Sequence, residues 1–221
     1  MVADARRAFH VKRELQDRYV SLLLGAPLSV TAIRDPFAAW EVHVDDALTA
    51  IPLLAGAASI VDVGSGGGSP GVPLAIELAV PVTLLEATGT KARFLESVLR
   101  ELDLPGTVVH QRSEEFARAA GRDSFDAAVS RALAPPVAAI ELCLPLVRPG
   151  GRLILWTGGL AELEPLQAVA DMLGGAVESL HTGSPGRHLL RVDKLRPTPE
   201  RFPRRPGMAR KRPLASLPST A

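Results

Sequence analysis

From about Asp4 to Leu24, Ala8, Val11, Leu15, Tyr19 and Leu22 recur at helical spacing, and the segment predicts an amphipathic helix ending near Gly25 and Pro27. A turn at Asp35-Pro36 then precedes a second apolar-periodic stretch through Val44 and Leu48, read as another helix packed on the core. Beyond this cap the pattern alternates between short apolar runs and amphipathic segments. Strands are expected at Ser59 to Val63, Val82 to Leu85, Thr107 to His110, Phe125 to Val129 and Leu153 to Thr157. Helices are expected at Pro70 to Leu78, Thr90 to Leu102, Glu114 to Ala120, Pro136 to Val147 and Glu162 to Leu173. Val177 to His181 and Leu189 to Lys194 read as a closing antiparallel pair. Repeated strand and helix with short connections predict an α/β chain, a mostly parallel sheet with helices on both faces. Three regions result: an N-terminal helical cap over 1–54, a core over 55–195, and an arm over 196–221 whose prolines predict an extended, solvent-facing course.

The most informative stretch is Ile60-Val-Asp-Val-Gly-Ser-Gly-Gly-Gly-Ser-Pro-Gly-Val-Pro73, where a buried strand runs into glycines and a helix begins. Such a loop lets a ligand approach the backbone. The spacing alone fits two ligands, because Gly66-x-Gly68-x-x-Gly71 matches a dinucleotide fingerprint and Gly64-x-Gly66-x-Gly68 does not require one. Asp62 weighs against a diphosphate, since a carboxylate two residues before Gly64 would repel it. Pro70 and Pro73 remove N–H donors that a diphosphate would use. The pattern therefore favours S-adenosylmethionine held by Gly64 and Gly66, with Glu86 at the next strand end placed to accept from ribose hydroxyls. Ser113 and Glu114, after the third strand, are placed for adenine, or cap a helix, or do both. Arg131, after the fourth strand, needs an anion: the cofactor carboxylate, an RNA phosphate or an acid such as Asp62. Cys143 lies in an apolar run and reads as a small buried hydrophobe.

Charge changes the picture only when divided. The 221 residues carry a formal charge of +1, yet 191–212 hold nine basic and two acidic residues, so the tail is basic and the body acidic. Arg201, Arg204, Arg205, Arg210, Lys211 and Arg212 are the candidate phosphate contacts. With one Tyr, two Trp and six Phe there is little for base stacking, so recognition is expected to rest on phosphate and shape. The charged first helix is unlike a signal peptide or membrane span, and a cytoplasmic, non-membrane protein is expected. Neither a metal nor a catalytic side chain is assigned.

The segments VDVGSGGGSPGVPLAI, TKARFLESVLRELDL, RSEEF, FDAAVSRALAPP and RHLLRVDKLRPTPERFPRRPGMARKRPL together resemble the RsmG (GidB) family, bacterial guanine-N7 methyltransferases of 16S ribosomal RNA. The likeness runs from about Tyr19 to Leu214, and the SRALAP box and PRRPG tail discriminate more than the glycines do. It implies a Rossmann-like class I S-adenosylmethionine-dependent fold, cofactor contacts at Gly64, Ser69, Ser113, Glu114 and Arg131, and ribosomal RNA or the small subunit as partner; the sequence leaves the oligomeric state open, with a monomer expected. The chain departs from the family pattern at Ser69, usually bulkier and apolar, at Thr157, often Lys, and at Gly25-Ala26, commonly Trp-Asn. Two rivals are an NAD-type oxidoreductase and a non-catalytic RNA-binding assembly factor.

Overall fold

A computed structural model describes residues 2–27, 29–158, 162–182 and 188–214. The chain opens with helix α1 (Val2–Leu24), followed by α2 (Pro36–Trp40), a π-helical turn (Glu41–Asp45), α3 (Asp46–Leu48) and a 3-10 turn (Ile51–Leu54). Asp35 starts α2 as an N-cap, its carboxylate accepting from the Ala38 N–H at 2.8 Å, with Pro36 in the first turn. The helix expected through Val44 and Leu48 is thus broken into pieces. Its widened turn leaves the Val42 and His43 carbonyls to accept from side chains elsewhere in the chain.

The remaining elements are β1 (Ile60–Val63), α4 (Gly71–Leu78), β2 (Val82–Leu85), α5 (Gly89–Glu101), β3 (Gly106–Val109), α6 (Ser113–Phe116), β4 (Phe125–Arg131), α7 (Pro136–Cys143), β5 (Val147–Thr157), α8 (Leu163–Met172), β6 (Gly175–Thr182), β7 (His188–Lys194) and α9 (Met208–Lys211). The strands form one sheet in the order β3-β2-β1-β4-β5-β7-β6. The first five are parallel, while β7 runs antiparallel to both neighbours. The fold is a doubly wound α/β sheet closed on one side by an antiparallel β7 inserted between β5 and β6. A dinucleotide fold instead continues its order as 3-2-1-4-5-6. That difference removes the structural basis of the oxidoreductase reading.

Alternation along the strands sorts the core. Val61, Val63, Leu85, Leu153 and Leu155 face α7 and α8, whereas Leu84 joins Tyr19, Leu23, Val72, Leu95 and Val98 against α1, α4 and α5. Central β1 is buried throughout, as a parallel strand covered on both faces should be. In α1 the inward stripe is Gln16, Tyr19, Val20 and Leu23, so Val11 of the expected stripe is exposed; the Ala8 side chain lies outside the described residues.

The tail departs most from expectation. Phe202, Ala209 and Leu214 are buried in the α7–α8 side of the core, so residues 202–214 fold back as a strap rather than extending into solvent. Apolar side chains spaced between the prolines provide the anchorage that composition alone conceals. Residues 215–221 of the expected arm lie outside the described residues.

Candidate active site

The chain leaves β1 toward β2 and β3, then returns to the other side of β1 as β4, creating the crevice where ligands bind in open parallel sheets. A cleft of about 240 Å³ opens there, lined by residues that include Gly64, Thr88, Arg112, Ser113, Leu133 and Arg210. Gly64 sits at its floor with φ +74°, and a Cβ there would lie 2.6 Å from Leu133 Cδ1. The backbone is locked in this shape, since the Gly64 and Ser65 N–H groups donate to the Leu85 carbonyl at 2.8 and 3.2 Å. Ser65 Oγ donates to the Asp62 carbonyl at 2.8 Å.

Glu86 braces the same loop. Its carboxylate accepts from the Gly66 N–H at 2.9 Å and the Thr88 N–H at 2.7 Å, fixing the end of β2 against the glycine turn. Each oxygen retains lone-pair capacity for a hydroxyl. Ser69 lies away from the cleft lining, its Oγ donating to the His43 carbonyl at 2.7 Å, so this departure from an apolar residue fastens the loop to the cap. Ser113 and Glu114 are both buried and line the cleft. The Glu114 carboxylate, however, accepts from the Gly207 N–H of the strap at 2.8 Å and lies near Ser113 Oγ at 3.4 Å.

Arg131 points to the cap. Its guanidinium donates to the Val42 carbonyl, to Asp46 Oδ2 at 3.1 Å and to His43 Nδ1 at 3.0 Å, while His43 Nε2 lies 2.9 Å from Thr31 Oγ1. Asp46, rather than the Asp62 considered from sequence, is the acid paired with it. Arg131 also lines a second space of about 410 Å³ with Val42, Ala132, Trp156, Thr157 and Gly158. A smaller recess of about 170 Å³ shares Leu133 with the first and Ala132, Trp156, Thr157 and Gly158 with the second. Ala132 holds φ +55°, a left-handed conformation rare for a residue with a Cβ, at the join.

Asp62 is wholly buried; Oδ2 accepts from the Gly71 N–H at 3.1 Å and Oδ1 has no hydrogen-bond partner among the described residues. Burial pushes its carboxyl up to about 7, against the opposing pull of the Gly71 hydrogen bond and Arg131. The unfolded chain releases this proton near 3.8, so the native state retains its full contribution below that pH and loses it as pH rises to about 7. Asp62→Asn keeps an acceptor for Gly71 and removes the buried charge. It is expected to melt near the parent at pH 4 but about 8–16 °C above it at pH 8, roughly 4 kcal/mol. Differential scanning calorimetry at both pH values checks this, and a pH-independent difference would refute it. Burial likewise raises the Cys143 thiol, which is inert in the core.

Of the basic candidates, Arg201, Arg205, Arg210, Lys211 and Arg212 are exposed. Arg204 departs from the phosphate-binding expectation: its fork is filled by Glu141, at 2.7 and 2.6 Å, and by the Arg212 carbonyl at 2.8 Å. Sequence reasoning also missed Leu133, Gly207 and Arg210 as cleft lining. Glu141 was the available signal, an acid inside the apolar run AAIELCLPLV that burial obliges to find a cation.

Residues 13–190 match the family model described as rRNA small subunit methyltransferase G. The chain belongs to that family. A member from Rubrobacter xylanophilus is 38% identical, covering 96% of each chain, and one from Chloroflexus aggregans is 40% identical over 84% of this chain and 82% of its own. Both bear the name ribosomal RNA small subunit methyltransferase G. Among solved structures, the mitomycin 7-O-methyltransferase MmcR superposes with a TM-score of 0.57 at 16% identity, covering 80% of this chain and 60% of that one, a likeness of fold. Among the described residues of this rRNA small subunit methyltransferase G family member, no helix is long and apolar enough to cross a membrane.

Proposed function

We propose that this chain transfers a methyl group from S-adenosylmethionine to N7 of a guanine in small-subunit ribosomal RNA. The observation that carries the reading is the pair of spaces at the carboxyl edge of the sheet, the Gly64 cleft and the Arg131–Trp156–Thr157 space, which lie on either side of a recess that shares lining residues with both. Such neighbouring spaces suit a cofactor and a second ligand that must meet. The first cleft suits the cofactor, because Gly64 lets Leu133 and the backbone pack closely at its wall, Ser113 and Glu114 line it with polar groups, and Glu86 stands behind it at the end of β2. Gly66 contributes its N–H to the Glu86 brace, and Ser69 supports the loop from behind.

When bound, S-adenosylmethionine supplies an electrophilic methyl group. Guanine N7 has an in-plane lone pair and no proton to lose, so the protein needs no general base. Its work is alignment and exclusion of water. Arg131 and Asp46 tie the β4 end to the cap, keeping the wall of the second space fixed. Leu133 and Trp156 provide apolar surface for a base, and Thr157, whose hydroxyl donates to the His188 carbonyl at 3.2 Å, completes that wall. The exposed Arg201, Arg205, Arg210, Lys211 and Arg212 neutralise phosphates of the RNA or assembled subunit. His43 and His110 have no role as bases.

The test is methyl transfer from labelled S-adenosylmethionine to ribosomal RNA and to assembled small subunits, followed by mapping of 7-methylguanosine. One modified guanine, absent when the protein is omitted, is the expected result. Cofactor and RNA binding with no turnover would favour the assembly-factor reading, and methyl found on another atom would overturn the N7 assignment.

A further inference from the structure

Arg118 and Arg122 hold the start of the strap by donating to the Pro203 and Phe202 carbonyls, and further contacts hold its middle across the cofactor cleft. Arg204 grips Glu141 of α7 with both arms, at 2.7 and 2.6 Å, and donates at 2.8 Å to the Arg212 carbonyl, so one guanidinium secures both ends of the strap. Glu141 is 2% exposed and the Arg204 side chain 18%. At the apex, the Gly207 N–H donates to Glu114 Oε1 at 2.8 Å. Arg210 donates at 2.5 Å to the carbonyl of Leu133, the residue whose side chain crowds Gly64. Gly207 and Arg210 themselves line the cleft. The strap is therefore a wall of the cleft, held by an ion pair outside it.

We propose that residues 202–214 form a clamp that retains the cofactor, with Arg204 as its positioning residue acting through Glu141. Arg204 is not among the residues lining the cleft, so any effect on cofactor affinity must travel through the strap. The mechanism is geometric. Phe202 and Leu214 stay buried at the two ends, so without the grip on α7 the middle of the strap loosens, and the Gly207–Glu114 and Arg210–Leu133 contacts that form the cleft wall weaken. The inference rests on the cofactor reading of that cleft.

The clamp and the cofactor must stabilise each other reciprocally. Arg204→Ala is expected to raise the S-adenosylmethionine Kd and KM by about tenfold while kcat at saturating cofactor stays near the parent's. Calorimetry and steady-state kinetics read these values at a temperature where circular dichroism matches the parent. Replacing the pair by apolar side chains of similar length, Glu141→Met with Arg204→Met, removes the charges but keeps the strap seated. Affinity should then return most of the way. An unchanged Kd in Arg204→Ala, or no recovery in the double variant, overturns the proposal.

A second measurement needs no variant. Trypsin can cut after Arg201, Arg210 and Lys211, whereas Pro206 and Pro213 block the bonds after Arg205 and Arg212, and saturating S-adenosylmethionine should slow cleavage in the intact protein several-fold at the three open sites. Equal cleavage with and without cofactor, where calorimetry shows binding, overturns the clamp alone. A parent protein that binds no S-adenosylmethionine overturns the cofactor reading and the clamp with it.

Discussion

Gly64→Val is expected to weaken S-adenosylmethionine binding by a factor of about 100 or more, roughly 2.8 kcal/mol, and Gly64→Ala by about tenfold. Two effects combine at this position. The φ of +74° costs a residue with a Cβ about 1–2 kcal/mol, and more for a β-branched one. The added Cβ would also lie 2.6 Å from Leu133 Cδ1, forcing the apolar cover of the cleft to move. Stability and affinity can be separated with Gly56, which has φ +78° but no atom within 4 Å of a Cβ. Gly56→Ala should lower the melting temperature by about 2–8 °C with no change in cofactor affinity, whereas Gly64→Ala should lower both. Calorimetric titration and thermal melts of the two alanine variants decide the matter. Equal cofactor affinity in folded Gly64→Ala and the parent would remove Gly64 from the site.

Local rules read the centre of the molecule well. The run from Ile60 to Pro73 announced strand, turn and helix through the order of its residues, and β2, α5, α7 and the antiparallel pair β6–β7 fall within a few residues of their expected places. Boundaries slipped where tertiary contacts set them. Here α6 stops at Phe116, and β5 begins at Val147 with an irregular register opposite Phe125 and Ala127. The cap helix over Val44 and Leu48 failed for a different reason: its carbonyls serve Arg131 and Ser69, 89 and 26 residues away along the chain. No period in a local window carries that information.

The site divided along the same line. Gly64, Glu86, Ser113 and Glu114 come together because each sits at the carboxyl end of a strand or immediately after one, a placement that element order dictates. The partners of the charged groups were hidden. Glu141 and Arg204 are 63 positions apart, Glu114 and Gly207 are 93, and only folding the tail onto α7 makes either pair. A tail rich in proline and arginine resembles a solvated arm until Phe202, Ala209 and Leu214 are seen to be its anchors.

Arg131→Ala is expected to destabilise the protein by about 3 kcal/mol, the range for removing one partner of a buried ion pair, and to reduce methyl transfer with it. The guanidinium is the cation beside Asp46, which is 2% exposed, and it donates to the Val42 carbonyl and to His43. Loss of the side chain therefore disturbs three parts of the cap at once. Function follows because the same residue lines the second space, whose opposite wall is Trp156 and Thr157. The Trp156 Nε1–H donates to the Asp46 carbonyl at 3.1 Å, so cap, arginine and β5 form one mechanical unit. Removing Asp46 as well should cost less than the sum of the two single changes, with a coupling of about 0.5–3 kcal/mol. Urea denaturation of Arg131→Ala, Asp46→Ala and the double variant measures it. Strict additivity would show that the pair does not act as a unit. Full stability in Arg131→Ala with methyl transfer lost would instead place the arginine on cofactor or RNA, as first considered from the sequence.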